Sequence, residues 1–327
     1  MAMPQRATPA VMIPYQPEGV DDVLPYAELA VRRHARRLWT GQSLHIDSLQ
    51  LFAHFAGRGL RVPVGTGVSL TALRTPFDAA LQARSLAHIT GRPVVMGYGP
   101  ATPGFVASIN GAPYASPRAA ATEFLTAART LLDGGTTEPG AYFRMRVELP
   151  PTRPHPLVEV GAGVLRPAMA RSAAGVADVA ITWLTPTEYV SDVLLPALEE
   201  GAGDRRPPRV ATVVHLAVDR PGRDPAALAA KMSAGHLTAP HYLDMLRRAG
   251  LNVRREDDLL AKAKQLVEKG VFVYGSPAHI ARELARYRAA GIDELILNVG
   301  GVHFVHSPEE AIRDLEDVFT AVEELHG

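Results

Sequence analysis

The chain has 327 residues, with 34 basic and 34 acidic side chains, so its formal charge is zero, and nearly half of it is apolar. Zero net charge argues against a protein whose main task is gripping nucleic acid. The absence of cysteine excludes disulfides, thiolate nucleophiles, iron–sulfur clusters and sulfur-ligated zinc. No apolar run approaches the ~20 residues of a membrane helix, and Met1 to Pro9 has no signal-peptide apolar core. The cytoplasm is therefore the expected location. Four of the basic residues are lysine and 30 are arginine, which fits a GC-rich genome.

Short apolar runs alternate with helix-period segments along the whole chain. The strands are expected at Ala10–Pro14, Arg37–Thr40, Val62–Gly67, Val94–Gly97, Leu157–Val160, Val179–Thr182, Val210–Val218 and Glu294–Val299. Near-continuous apolar runs suit strands buried on both faces, as in a parallel sheet. Helix starts are marked by a hydroxyl residue before a proline: Thr75-Pro76, Ser116-Pro117, Thr185-Pro186, Ser276-Pro277 and Ser307-Pro308. The hydroxyl caps the first turn, and proline at the first helical position loses no hydrogen bond. Gly91 and Gly291 fit as C-terminal stops. Eight strands alternating with helices predict a single (β/α)₈ barrel spanning 1–327. No strand–GxGxxG–helix fingerprint supports the doubly wound alternative. Two segments interrupt the alternation: a Pro/Gly-rich excursion at about 134–156 after strand four, with room for a hairpin, and a longer insertion at about 220–270 after strand seven.

The candidate chemistry lies at the strand ends, where barrel enzymes place their sites. Gly65–Ser69 ends strand three, Gly97-Tyr98-Gly99 ends strand four, and Gly161-Ala162-Gly163 ends strand five. Glycine lets a backbone approach a ligand, and a helix N-terminus after a glycine loop suits phosphate. Any one of these is also explained by a tight turn. Three in succession point to a flat, phosphate-bearing cofactor across the mouth. Strand two ends in Trp39-Thr40-Gly41-Gln42-Ser43-Leu44-His45. Gln42 and Ser43 can exchange hydrogen bonds with a substrate, and Trp39 can wall a ring; alternatively Ser43 or Asp47 caps the next helix. His236 and His241 in the insertion, and His303 and His306 after strand eight, show no metal-ligand spacing, so no metal is expected. A serine elbow, a Walker loop and paired carboxylates at a strand end are all missing, which argues against acyl transfer, nucleotide hydrolysis and glycoside hydrolysis.

The order GTGVSLTALRTPFDAALQARSLAHITGRPVVMGYG resembles the luciferase-like monooxygenase superfamily, and VEVGAGVLRPAMARSAAGVADVAIT and VYGSPAHIARELARYRAAGIDELIL follow collinearly. The resemblance implies a flavin- or deazaflavin-dependent (β/α)₈ barrel. It assigns Thr66, Gly67, Val68, Gly97, Tyr98 and Gly99 to the cofactor site, and the backbone of Gly161, Ala162 and Gly163 to its phosphate. It also implies a cis peptide at Gly67–Val68. Many relatives carry Ser-Asp-His at the end of strand two. Gly41, Gln42 and Ser43 stand there, so the usual acid/base histidine is absent and Gln42, Ser43 and His45 become the catalytic candidates. A tyrosine, a histidine from the insertion or water could also supply the proton.

The W-T-G-Q-S form and the arginine-rich, actinobacterial-type composition resemble the coenzyme F420 branch more than the FMN monooxygenases. The expected activity is hydride transfer between the deazaflavin C5 and a C=C, C=O or alcohol carbon of a small organic or natural-product substrate. An FMNH₂- and O₂-dependent monooxygenase and a non-catalytic cofactor- or partner-binding barrel are the alternatives. Neither nucleic acid nor membrane is an expected partner; a homodimer is compatible with the sequence.

Overall fold

In the computed structural model, which describes residues 8–14 and 16–326, the strands form one parallel sheet. In chain order they are β1 (Ala10–Met12), β2 (Leu38–Thr40), β3 (Val64–Leu70), β4 (Val94–Gly99), β5 (Val158–Gly163), β6 (Val179–Trp183), β7 (Arg209–Val218), β8 (Phe272–Gly275) and β9 (Glu294–Asn298). Each of β1 to β7 pairs with the next, β7 pairs with β9, and β9 pairs with β1. Those eight strands close a (β/α)₈ barrel, the fold the alternation predicts.

The ninth strand corrects the sequence reading. Ala211–His215 of β7 pair with β9, whereas His215–Val218 pair with β8. β8 is a four-residue run with a half-exposed end, directly behind a helix and a left-handed Gly270, so its apolar signal is weak. The insertion therefore leaves the barrel at Val218 and returns beside it. The Asp219 N–H donates to Gly275 O at 2.9 Å. Between them lie three helices, Pro225–Ser233, Pro240–Arg248 and Leu259–Glu268.

Alternation along the strands sorts the core into two sets. Val11, Leu38, Val64, Met96, Val160, Val214 and Leu297 point outward and pack under the helices. Ala10, Met12, Trp39, Val95, Val179, Ile181, Ala211, Val213 and Ile296 fill the barrel interior as a separate cluster.

Four of the predicted hydroxyl caps are in place: Thr75, Ser116, Ser276 and Ser307 accept from the N–H groups of Asp78, Ala119, His279 and Glu310. Thr185 does not cap. Its hydroxyl donates to Trp183 O, and the helix begins two residues later, at Thr187. Gly91 closes its helix in the left-handed conformation at φ 64°. The 134–156 excursion lies between the helix Pro117–Leu132 and β5, with no strand assigned in it. It doubles back along that helix, where the Glu123 carboxylate accepts from the N–H groups of Ala141, Tyr142 and Phe143. The expected hairpin is reduced to two backbone bonds, Thr137 N–H to Val147 O and Gly140 N–H to Phe143 O.

The N-terminal ends of the strands form a charged floor. Glu294, fully buried, takes hydrogen bonds from Arg36 Nε at 3.0 Å, Arg37 Nε at 3.2 Å and Trp39 Nε1 at 2.8 Å. Glu159 pairs with Arg209 at 2.7 Å and faces Arg37 at 3.8 Å. Burial alone would raise the Glu294 carboxyl, but Arg37, Arg36, Trp39 and Arg209 together hold it below the usual carboxylate range.

Candidate active site at the barrel mouth

The C-terminal ends of the same strands build the mouth, and its two halves differ. On the β2 to β5 side the chain is rich in glycine: Gly41, Gly67, Gly99 and Gly163. β3 bulges here. Its register with β4 shifts between Thr66 and Ser69, and the Gly67–Val68 peptide is cis, as the resemblance implies. Val68 turns inward over the interior cluster and stays half-buried. A Cβ on Gly99 would lie 2.8 Å from Val68 Cγ2, and one on Gly163 would lie 3.2 Å from Val68 Cγ1. These two glycines leave room for Val68 to project.

Deeper in the barrel, glycine serves packing. A Cβ on Gly97 would overlap Ile181 Cδ1 and Thr66 O; one on Gly161 would lie 2.9 Å from Ile181 Cδ1 and 3.0 Å from Gly97 Cα. Gly161, Ala162 and Gly163 also lie inside β5, in register with β6 and, for the first two, with β4. The backbone edges of Gly161 and Ala162 thus face strands on both sides and Gly163 is paired with β6, so the three offer a phosphate few free N–H groups. The chain clears this ladder only beyond Val164, whose N–H still bonds Ile181 O. There Arg166 occupies the N-cap of the helix Pro167–Ala174 with a half-exposed side chain, 3.6 Å from Asp244.

Four other expectations change for reasons of side-chain direction or depth. Trp39 is fully buried below the mouth, tied to Glu294 with the Arg37 guanidinium 5.8 Å from its ring, so it walls no ligand. Tyr98 points outward: its hydroxyl donates to Ala79 O and its ring lies 5.0 Å from Phe124. Ala162 belongs to the same outer core. Thr66 is buried, with Oγ1 donating to Gly97 O and accepting the Gly97 N–H, both at 3.0 Å.

The strand-two loop is held by its own side chains. The Gln42 N–H donates to Val68 O at 3.0 Å, while Gln42 Oε1 accepts from Leu70 N–H and Arg74 Nη2. Ser43 is buried, and its Oγ accepts from the N–H groups of His45 and Ile46. Asp47 caps the next helix. Gln42 thus ties the loop to the bulge, Ser43 closes a turn, and His45 is exposed beside them.

The opposite half of the mouth, on β6, β7 and β9, carries large polar side chains. Trp183 and His215 continue the inward-facing series of β6 and β7, and Asn298 that of β9; His215 and Asn298 are partners across the β7–β9 ladder. His215 is fully buried, and its ring meets Trp183 edge-on at 5.0 Å. From the insertion, His236 stacks on Trp183 at 5.2 Å, and Tyr242 meets His236 at 4.8 Å. Burial, with His236 beside it, pushes His215 down to about 3. Burial, with His241 beside it, pushes His236 down to about 4. Both rings are therefore neutral at pH 7. The sequence reading offered His236 only as one of the insertion histidines that could supply a proton, and missed His215, Trp183 and Asn298. Its available signal was one histidine in the apolar run VATVVHLAV, in phase with Ala211 and Val213.

The described residues contain no cluster of three or more side chains suited to a metal ion, and no helix among them is long and apolar enough to cross a membrane. No curated protein matches the chain. Several solved structures match its fold at low identity. An F420-dependent secondary alcohol dehydrogenase, in complex with an F420–acetone adduct, superposes with a TM-score of 0.74 at 17% identity, covering 96% of this chain and 98% of that one. The coenzyme F420-dependent tetrahydromethanopterin reductase from Methanopyrus kandleri gives 0.73 at 16% identity, covering 98% and 99%. The monooxygenase RslO1 from Streptomyces bottropensis gives 0.72 at 19% identity, covering 98% and 100%. The family model for luciferase-like monooxygenases matches residues 5–294, and with the barrel and mouth just described the chain belongs to that family.

Proposed function

We propose that the chain is an F420-dependent oxidoreductase that moves a hydride between a deazaflavin and an uncharged small organic or natural-product substrate. The observation that carries this reading is the divided mouth: a glycine-rich half from which Val68 projects, facing a half built of neutral polar rings. The first half fits one face of a flat tricycle, and the second fits a substrate laid on the other face. When bound, the reduced cofactor would supply the hydride, and the protein's part is to stack, orient and keep water away. Val68 and the Gly67 backbone would support the ring, and the Gln42 bonds to Val68 and Leu70 would hold that support rigid. Arg166 and the helix start behind it would take the phosphate, in place of Gly161–Gly163. Neither Gln42 nor Ser43 titrates near neutrality, so a proton would come from His45, His236 or water.

A type II Baeyer–Villiger monooxygenase in complex with FMN among the structural neighbours supports FMN as the second reading of the same mouth. Titrating the protein with F420 and with FMN, followed by cofactor fluorescence, decides between them. Tighter F420 binding is expected; equal or tighter FMN binding reverses the assignment. Binding of either with no turnover over a broad substrate panel would favour a non-catalytic barrel. A cytoplasmic enzyme working as a homodimer is part of the same proposal.

A further inference from the structure

We propose that Trp183, His215 and Asn298 form a subsite for the oxygen of an uncharged carbonyl or alcohol group, covered by a displaceable His236. The inference rests on the oxidoreductase reading above and narrows its substrate class.

Five polar atoms of this corner are buried and lack a partner among the described residues: Trp183 Nε1, both ring nitrogens of His215, His236 Nδ1 and Asn298 Nδ2. Elsewhere, Arg129 Nε, Arg209 Nη1 and Arg223 Nε belong to guanidinium groups whose other nitrogens are paired, and the Thr71 and Ser233 hydroxyls are single orphaned atoms. His215 has neither ring nitrogen satisfied, although it is fully buried. Buried polar groups are almost always hydrogen-bonded, so a group of unsatisfied ones on one wall implies an absent partner. Asn298 keeps its own orientation, since its Oδ1 accepts the Gly300 N–H at 2.9 Å and leaves Nδ2 free.

The chemistry of these donors selects the ligand. A neutral imidazole offers one donor and one acceptor, whereas indole and amide N–H groups only donate. Together they suit a carbonyl oxygen, which accepts, or an alcohol, which accepts and donates. With no cation among these four side chains, a carboxylate or phosphate would be buried without a counter-charge, at high cost. His236 lies over Trp183 and is half-buried, so a ligand reaches His215 by moving the turn between Ser233 and Pro240.

The test uses the full chain labelled with ¹⁵N-histidine, wild type and the variants His215→Leu and Asn298→Asp. The latter retains the oxygen that holds Gly300 and removes the donor. The probes are cyclohexanone, cyclohexanol and cyclohexanecarboxylate. The expected result has four parts. The ketone and alcohol shift the His215 ring signals in the wild type, and the carboxylate does not. Both variants lose at least tenfold in ketone affinity. His215→Leu leaves Tm at pH 7.5 unchanged or raises it by about 1–3 °C, because it removes an unsatisfied buried group. Unmoved His215 signals mean that the orphaned atoms hold only water, and they overturn the subsite. Preferential carboxylate binding overturns it, and so does a His215→Leu variant that melts lower or fails to fold, which marks the histidine as structural. The NMR arm on the wild type stands without any variant. Cofactor titration of the same samples separates the two claims. F420 binding with an unresponsive His215 defeats the subsite alone; absence of cofactor binding with a responsive His215 defeats the functional reading alone.

Discussion

The two ends of the barrel bury polar groups under opposite rules. At the floor, Glu159 and Glu294 meet Arg36, Arg37, Arg209 and the Trp39 indole, and each carboxylate is matched by cations. At the mouth, His215 and Asn298 are buried and Trp183 partly so, but all three hold unpaired atoms. Both ends are built from residues in the same inward-facing phase of the strands, so the difference is chemical rather than topological. A charge-matched network fixes the barrel's shape. An unsaturated wall costs stability and reserves hydrogen bonds for something outside the chain. Trp39 and Trp183 show the contrast in one residue type: the first donates its indole N–H to Glu294, and the second keeps it free.

The largest expected effect is at the floor. Glu294→Leu leaves Arg36, Arg37 and the Trp39 N–H buried around an apolar side chain, and should destabilise by about 3–5 kcal/mol. Urea unfolding would show it as a lower midpoint at unchanged slope; a loss under about 1 kcal/mol would mean that the floor is hydrated and the contrast with the mouth is false. Between the two ends, Gly97→Ala should cost about 1–3 kcal/mol, since the new methyl overlaps Ile181 and the Thr66 carbonyl. The exposed Gly104, with nothing within 4 Å, is its control and should change stability by no more than about 1 kcal/mol. By the same reasoning Gly161→Asp would disrupt packing before it reported on any phosphate.

Acid sharpens the comparison further. His215 and His236 are neutral in the fold, whereas unfolded histidine titrates near 6.5. Unfolding therefore takes up protons below about pH 6.5, and stability should fall with pH from there towards about 4, by at most about 1.4 kcal/mol per pH unit for each ring. His215→Leu should flatten that decline in Tm; an unaltered decline would place the acid sensitivity elsewhere. The smallest effect belongs to the strand-two loop. Ser43→Ala removes a turn acceptor for two N–H groups and should cost about 0.5–1 kcal/mol. Its activity should keep the wild-type pH profile, and a shifted profile would return Ser43 to the chemistry.

The barrel was legible because its strands are buried on both faces, and a run such as VATVVHLAV has few other uses. Most helix starts were legible because Ser-Pro and Thr-Pro carry their own capping chemistry; Thr185 failed because Trp183 O claimed its hydroxyl. The site was read less well. Glycine near a strand end looks the same whether it admits a ligand or a neighbouring side chain, and only Ile181 and Val68 in three dimensions separate Gly97 and Gly161 from Gly99 and Gly163. Trp39 was misplaced because a strand end does not give depth, and Tyr98 because the phase of its strand turns it outward. His215 and Asn298 escaped because their pairing spans two distant strands, and unsatisfied atoms have no sequence signature.

The forked pairing of β7 has a consequence for how this scaffold can diversify. Val218 hands the chain to the insertion, and Gly275 receives it back in register with Val218, so the excursion leaves and rejoins the barrel at one place on the rim. Its ends are clamped at a fixed separation whatever lies between them, and lengthening such a loop costs only about 0.6 kcal/mol per doubling. The three helices carrying His236 and Tyr242 can thus be exchanged as a cassette while the glycine half and the charged floor stay untouched, which lets one cofactor platform be refitted to new substrates by swapping its roof.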